Sequence, residues 1–119
     1  MITLYHNPRC SKSREALALA EAAAERLGEP LKVVEYLKTP PDLETLTALR
    51  ASLGLPARAM IRDGEQAYAD LGLADTGLSD AQLLAAIAGN PILLQRPLLL
   101  RGGRAVIGRP PENVLALLA

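Results

Sequence analysis

The chain opens on a short β-favouring run, residues 2–5 (Ile-Thr-Leu-Tyr), which gives way to polar residues at His6. Asn7-Pro8 marks a turn. A helix is predicted from near Ser11, because Leu17, Ala20, Ala24 and Leu27 follow the 3.6-residue period. Gly28 suits the position just past a helix end and Pro30 blocks continuation, so residues 31–36 (LKVVEY) read as a second strand. Strand, helix and strand in close succession form a βαβ unit, whose two strands should run parallel.

The middle of the chain has helical spacing only. Leu43, Leu46, Leu49 and Leu53 predict one helix, opened by Thr39-Pro40-Pro41-Asp42 and stopped by Gly54. Short helical pieces are expected over 57–61 and 65–71. A longer helix starts at Ser79, where Ser79 and Gln82 fit a capping box, and closes at Gly89-Asn90-Pro91. Residues 98–101 and 104–107 then flank Gly102-Gly103, a two-residue hairpin turn. Gly108-Arg109-Pro110-Pro111 leads into a last helix, with Val114, Leu115 and Leu118 expected to face inward. Removing the central helices leaves βαβ plus ββα. The expected class is therefore α/β: one thioredoxin-like domain over residues 1–119, built on a four-stranded mixed sheet, with a large helical insertion at about residues 39–95 between its halves.

Composition narrows the function. Thirteen basic residues balance thirteen acidic ones, which argues against direct nucleic-acid binding. A single cysteine allows no intrachain disulfide and fits a reducing compartment. The N-terminal residues show no basic stretch followed by an apolar one, and no apolar run approaches the ~20 residues needed to span a bilayer. The expected location is cytoplasmic, with no membrane partner. Ten of the basic residues are arginines. Most reflect overall composition, but a guanidinium fork is also the natural ligand of an oxyanion, so position decides which of them matter.

The candidate chemistry centres on Cys10. A cysteine between a strand and a helix sits at the positive end of the helix dipole, where unpaired backbone N–H groups stabilise a thiolate. Arg9, Lys12 and Arg14 add positive charge. His6, Ser13 and Arg14 are the candidates for tuning the thiol. A thiolate is both the stronger nucleophile and the better redox centre. Spacing excludes two relatives. A tyrosine-phosphatase loop needs Arg six positions after the cysteine, where this chain has Ala16, and a dithiol motif needs a second cysteine where it has Ser13. Cys10-Ser11-Lys12-Ser13 is a monothiol pattern, so turnover needs an external thiol. One Cys and one His cannot complete a metal site, and no bound cofactor is expected.

The stretch Tyr5-His6-Asn7-Pro8-Arg9-Cys10-Ser11-Lys12-Ser13-Arg14 resembles the active-site segment of glutaredoxin-dependent arsenate reductases. The similarity continues through Arg58-Ala59-Met60-Ile61-Arg62, Tyr68 with Leu71-Gly72-Leu73, Asn90-Pro91-Ile92-Leu93, Arg96-Pro97 and Ile107-Gly108-Arg109-Pro110, so it spans essentially the whole chain in order. The Cys-Ser-Lys-Ser order is similar to that of the YfgD-like sub-branch of the ArsC family, itself related to Spx regulators. The resemblance implies a catalytic Cys10 with Arg62, Arg96 and Arg109, and an oxyanion held by these with Ser11 and Lys12. It implies reduction of arsenate to arsenite, with glutathione as co-substrate and glutaredoxin as partner. Two alternatives remain: an Spx-like regulator that binds RNA polymerase, and a general monothiol oxidoreductase. The thioredoxin-like fold further implies a cis peptide bond between Arg96 and Pro97, at the start of the third strand.

Overall fold

In the computed structural model, which describes all residues 1–119, the chain forms two compact units, residues 1–39 with 96–119 and residues 40–95. The first carries all four strands. It comprises β1 (Ile2–His6), α1 (Ser11–Leu27), β2 (Leu31–Glu35), β3 (Leu98–Arg101), β4 (Arg104–Ile107) and a closing 3₁₀ segment, Pro111–Leu117. The sheet order is β2-β1-β3-β4. β1 runs parallel to β2 and antiparallel to β3, and β3 runs antiparallel to β4. This is the mixed thioredoxin-like sheet that the strand and helix order implied. β1 is flanked by two strands and is the most thoroughly buried, as its central place requires.

The registers place four chain segments at one end of this sheet. His6 pairs with Glu35, Tyr5 with Leu98, and Leu98 with Ile107. The chain leaving β1, the chain leaving β2, the chain entering β3 and the chain leaving β4 therefore all meet there. Cys10, Glu35–Lys38, Arg96 and Arg109 belong to these four segments. The opposite end carries the hairpin turn, where Gly102 and Gly103 have φ of 59° and 78°. Positive φ at both central residues is what a tight turn matching the twist of a β-ribbon demands.

α1 packs on the sheet through its alanines. Ala16, Ala20 and Ala23 are buried in one cluster with Ile2, Leu4, Leu99, Val114, Leu117 and Leu118. The expected stripe of Leu17, Ala24 and Leu27 lies at the margin instead, partly buried. Small side chains let the helix approach the sheet closely, and the leucines cover the seam. The last segment also differs from expectation. It is 3₁₀ rather than α-helical, so its buried residues recur every third position at Pro111, Val114 and Leu117, while Leu115 is 46% exposed. Two arginines hold its end: Arg101 Nη1 donates to Leu117 O at 2.8 Å and Arg26 Nη2 to Leu118 O at 2.8 Å. Arg101 also pairs with Glu29.

The second unit holds α2 (Leu43–Leu53), α3 (Gln66–Asp70), α4 (Asp80–Gly89) and short 3₁₀ turns at Ala57–Met60 and Pro91–Leu93. The Asp42 side chain caps α2 by accepting from Thr45 N–H at 2.8 Å, and Ser79 with Gln82 closes the full capping box on α4. Leu46 and Leu49 form the buried face of α2, while Leu43 is exposed. No helix is long and apolar enough to cross a membrane.

Gly108 joins the two arginine–proline pairs. Its N–H donates to Pro97 O at 2.8 Å, extending the β3–β4 ladder by one rung. A Cβ at this position would lie 2.8 Å from Pro97 Cγ and 3.0 Å from Val114 Cγ1. A proline ring cannot swing aside as a flexible chain end can. Gly108→Ala is therefore expected to destabilise the protein by about 1–3 kcal/mol, the usual cost of overpacking. A urea unfolding midpoint equal to that of the parent would contradict this close approach.

Candidate active site

Cys10 is the residue before α1, with extended backbone angles of φ −95° and ψ 123°. Its N–H donates to Asn7 O and its C=O accepts the Arg14 N–H, both at 3.0 Å, so the residue is held by the turn behind it and the helix ahead. No side chain caps α1, and its first turn contains no acidic residue. The positive end of a 17-residue helix is thus left to the sulfur.

The electrostatic balance favours the thiolate. Burial alone pushes the Cys10 thiol up. The Ser13 N–H, the Arg96 guanidinium and the Lys12 N–H all stabilise the anion and together bring its pKa below that of an ordinary thiol. Arg96 lies near enough for its guanidinium charge to favour the anionic sulfur. Alkylation of Cys10 followed against pH should therefore show a midpoint below the free-thiol value of about 8.5. A midpoint at or above that value would contradict the assembled site.

The loop is held from beneath by a buried polar relay. Ser13 is fully buried, and its Oγ lies 2.6 Å from His6 Nδ1 and accepts the Asn7 N–H at 3.0 Å. His6 is itself buried, and burial lowers its pKa. Arg14 lowers it further, against Glu35 and Ser13, which raise it. His6 therefore supports the loop as a neutral ring through Ser13. Arg14 also braces the loop directly, donating from Nη1 to Pro8 O at 3.0 Å. Asn7 did not stand out in the sequence beyond its turn signal. Its side-chain oxygen accepts the Arg9 N–H and its carbonyl the Cys10 N–H, both at 3.0 Å, so it shapes the loop at two points. The side chains of Ser11 and Lys12 lie in solvent, and Lys12 reaches Cys10 through its backbone N–H.

The arginines divide by role. Arg96 is partly buried and keeps its Nε buried with no hydrogen-bond partner. An unpaired guanidinium nitrogen is costly to hide, and its natural partner is an anion. The Arg96–Pro97 peptide bond is cis, as expected, and Arg109–Pro110 is cis as well, which the sequence did not signal. Arg109 is exposed, and its C=O accepts from Asn113 Nδ2 at 3.1 Å. Arg62 lies in the second unit. Its N–H donates to Leu93 O at 2.8 Å, its Nε pairs with Glu65 at 3.2 Å, and its Nη1 is buried without a partner. Arg58, four residues earlier, is structural: it donates to Tyr68 Oη and to the carbonyls of Leu73 and Asp75.

The chain is similar to known proteins over nearly its full length. The family model described as the ArsC family matches residues 5–117. A protein named arsenate reductase from Neisseria meningitidis serogroup A is 50% identical over 98% of this chain and 97% of its own. The uncharacterised YfgD of Escherichia coli K12 is 48% identical over 98% of this chain. A solved structure, arsenate reductase from Vibrio cholerae, superposes with a TM-score of 0.88 at 47% identity, covering 98% of this chain and 97% of that one. With a family match over nearly its full length, relatives at half identity and the same mixed sheet, the chain belongs to the ArsC family.

Proposed function

We propose that this protein is an arsenate reductase acting through the Cys10 thiolate in a reducing cytoplasm. The observation that carries the reading is the thiolate-favouring sulfur before α1 beside Arg96, whose positive charge lowers the Cys10 pKa and whose buried Nε has no hydrogen-bond partner. Attack of one anion on another is electrostatically unfavourable. A site for arsenate must therefore neutralise the oxyanion beside the nucleophile, and fixed guanidinium groups do this without reorganisation. Arg96 and Arg109 take this role at the sheet end that carries Cys10. Arg62, with its own unpaired nitrogen, is the third arginine that the family resemblance gives to the anion. The exposed Ser11 and Lys12 add polar groups at the helix start.

The chemistry follows from the single thiol. Cys10 Sγ attacks arsenic and hydroxide or water leaves, forming an S–As(V) bond. A glutathione thiolate then attacks Sγ, forming an S–S bond. The S–As electron pair departs with arsenic, which leaves as As(III) arsenite. With no second cysteine in the chain, the mixed disulfide is resolved from outside, by glutaredoxin. The test is arsenate-dependent NADPH oxidation in an assay coupled through glutathione, glutaredoxin and glutathione reductase. Thiol turnover that ignores arsenate would favour a general oxidoreductase instead.

A further inference from the structure

Arg62 is fixed twice, once through its backbone and once through its side chain. Ile61 forms an isolated antiparallel bridge with Leu94, in which the Arg62 N–H donates to Leu93 O at 2.8 Å and the Gln95 N–H to Met60 O at 2.7 Å. Met60, Leu93 and Leu94 are fully buried there. The chain then turns through Asp63 and Gly64 and brings Glu65 back to Arg62, where Oε1 accepts from Nε at 3.2 Å. Glu65 is the N-cap residue of α3, yet its side chain makes no capping bond. The start of α3 is itself anchored: the Tyr68 N–H donates to Glu65 O at 3.0 Å, and Tyr68 Oη accepts from Arg58 Nη1 at 3.0 Å. Nothing in the chemistry proposed for Cys10 uses Glu65.

We infer that Glu65 is the positioning residue of Arg62, setting its guanidinium in the orientation that receives the oxyanion, an inference that rests on the reading of Arg62 as an anion ligand. Two features support it. The first is what the carboxylate forgoes. An acidic N-cap side chain is placed to accept a first-turn N–H, and here it is committed to an arginine instead. A partly exposed ion pair three residues apart adds little to stability, so its consequence lies in where it leaves the guanidinium. The second feature is the edge left open. A guanidinium meets forked acceptors either through Nε and one terminal nitrogen or through its two terminal nitrogens. Glu65 takes Nε, while Nη1, on the other edge, is buried with no hydrogen-bond partner. An arginine side chain has many rotamers, and its fork serves an anion best when its plane is set in advance. A carboxylate near an anion site also repels the anion, so the two conceivable effects of Glu65 have opposite signs. Positioning makes its removal weaken anion binding, whereas repulsion alone makes its removal strengthen it.

Binding is read by calorimetry, with arsenate as titrant and the full chain carrying Cys10→Ser as parent, so that no reaction follows. Glu65→Ala should weaken arsenate binding about tenfold, and Glu65→Gln, which keeps an oxygen facing Nε, should recover most of that loss. Arg62→Lys keeps a charge but has no Nε for Glu65 to hold, so in that background Glu65→Ala should no longer weaken binding. With Cys10 restored, Glu65→Ala should raise KM for arsenate more than it lowers kcat. Urea midpoints measured on the same samples separate a loss of folding from a loss of binding. Tighter arsenate binding in Glu65→Ala, equal losses in the Ala and Gln variants, or an undiminished loss in the Arg62→Lys background would each overturn the assignment. Binding that depends on Arg62 but not on Glu65 would overturn it while leaving the anion reading in place. Binding that follows both residues in a protein that does not turn over arsenate would sustain the positioning role while rejecting the proposed reaction.

Discussion

Replacing Cys10 by serine should abolish arsenate reduction while leaving the protein at least as stable as before. The two halves of this expectation have separate origins. An alkoxide is not available at neutral pH as the thiolate is, and a serine cannot form the disulfide on which electron transfer depends, so turnover should fall by roughly 10³ or more, to background. Residue 10 is nevertheless the N-cap of α1, and that helix has no side-chain cap. Serine is among the preferred N-cap residues, contributing about 1 kcal/mol by accepting a first-turn N–H. Cys10→Ser should therefore unfold at an equal or slightly higher urea concentration. A variant that loses both activity and stability would show that residue 10 is a packing element rather than the nucleophile.

The second large effect separates anion binding from thiol activation. Arg96→Lys keeps the positive charge and loses the planar fork. Losing a charge-assisted hydrogen bond to the oxyanion costs about 1.5–3 kcal/mol, so kcat/KM for arsenate should fall about ten- to a hundredfold. Alkylation by neutral iodoacetamide, measured above the thiol midpoint, should change little, because the helix end and the Ser13 and Lys12 N–H groups still face the sulfur. Arg109→Ala should likewise reduce arsenate turnover, and it should leave the alkylation midpoint in place, since Arg109 is not among the groups that lower the Cys10 pKa. If arsenate turnover and alkylation fell together in both variants, the arginines would be supporting the loop rather than holding an anion.

The parts of this structure that were legible in the sequence are those governed by local chemistry. Asn7-Pro8 and Gly28 bracket α1, Ser79 and Gln82 start α4, and Gly102-Gly103 turns the hairpin, because turns and caps depend on a few neighbouring residues. Periodicity located α1 and caught Ala20 of its buried row, but set Leu17, Ala24 and Leu27 beside it where Ala16 and Ala23 are the fully buried residues. A helix with apolar residues around much of its surface offers several candidate stripes, and the sheet selected the alanines because they permit close approach. In the last segment Val114 and Leu118 are buried as expected, but its helix type and Leu115 were misjudged for a related reason. Pro111, Val114 and Leu117 repeat every three residues, a 3₁₀ spacing easily taken for an α-helical one over so short a length.

In the proposed site, Cys10 was a candidate from its position before a helix, and Arg96 from the family pattern. Other features required three dimensions. Arg58 and Arg62 lie in one motif and look equivalent along the chain. Only the carbonyls of Leu73 and Asp75 mark Arg58 as structural, and only a buried, unpaired nitrogen sets Arg62 apart. Gly108 carried no more signal than any glycine before an arginine, because its importance lies in what a side chain there would strike.

The most direct test of the whole account is a single turnover read by intact-protein mass spectrometry. The reduced protein is mixed with arsenate and glutathione, with glutaredoxin left out so that the final step cannot proceed. The expected result is one glutathione joined to Cys10 per chain and one arsenite released, both requiring arsenate and both absent in Cys10→Ser. Glutathionylation at the same rate without arsenate, or arsenite release with no covalent change at Cys10, would contradict it.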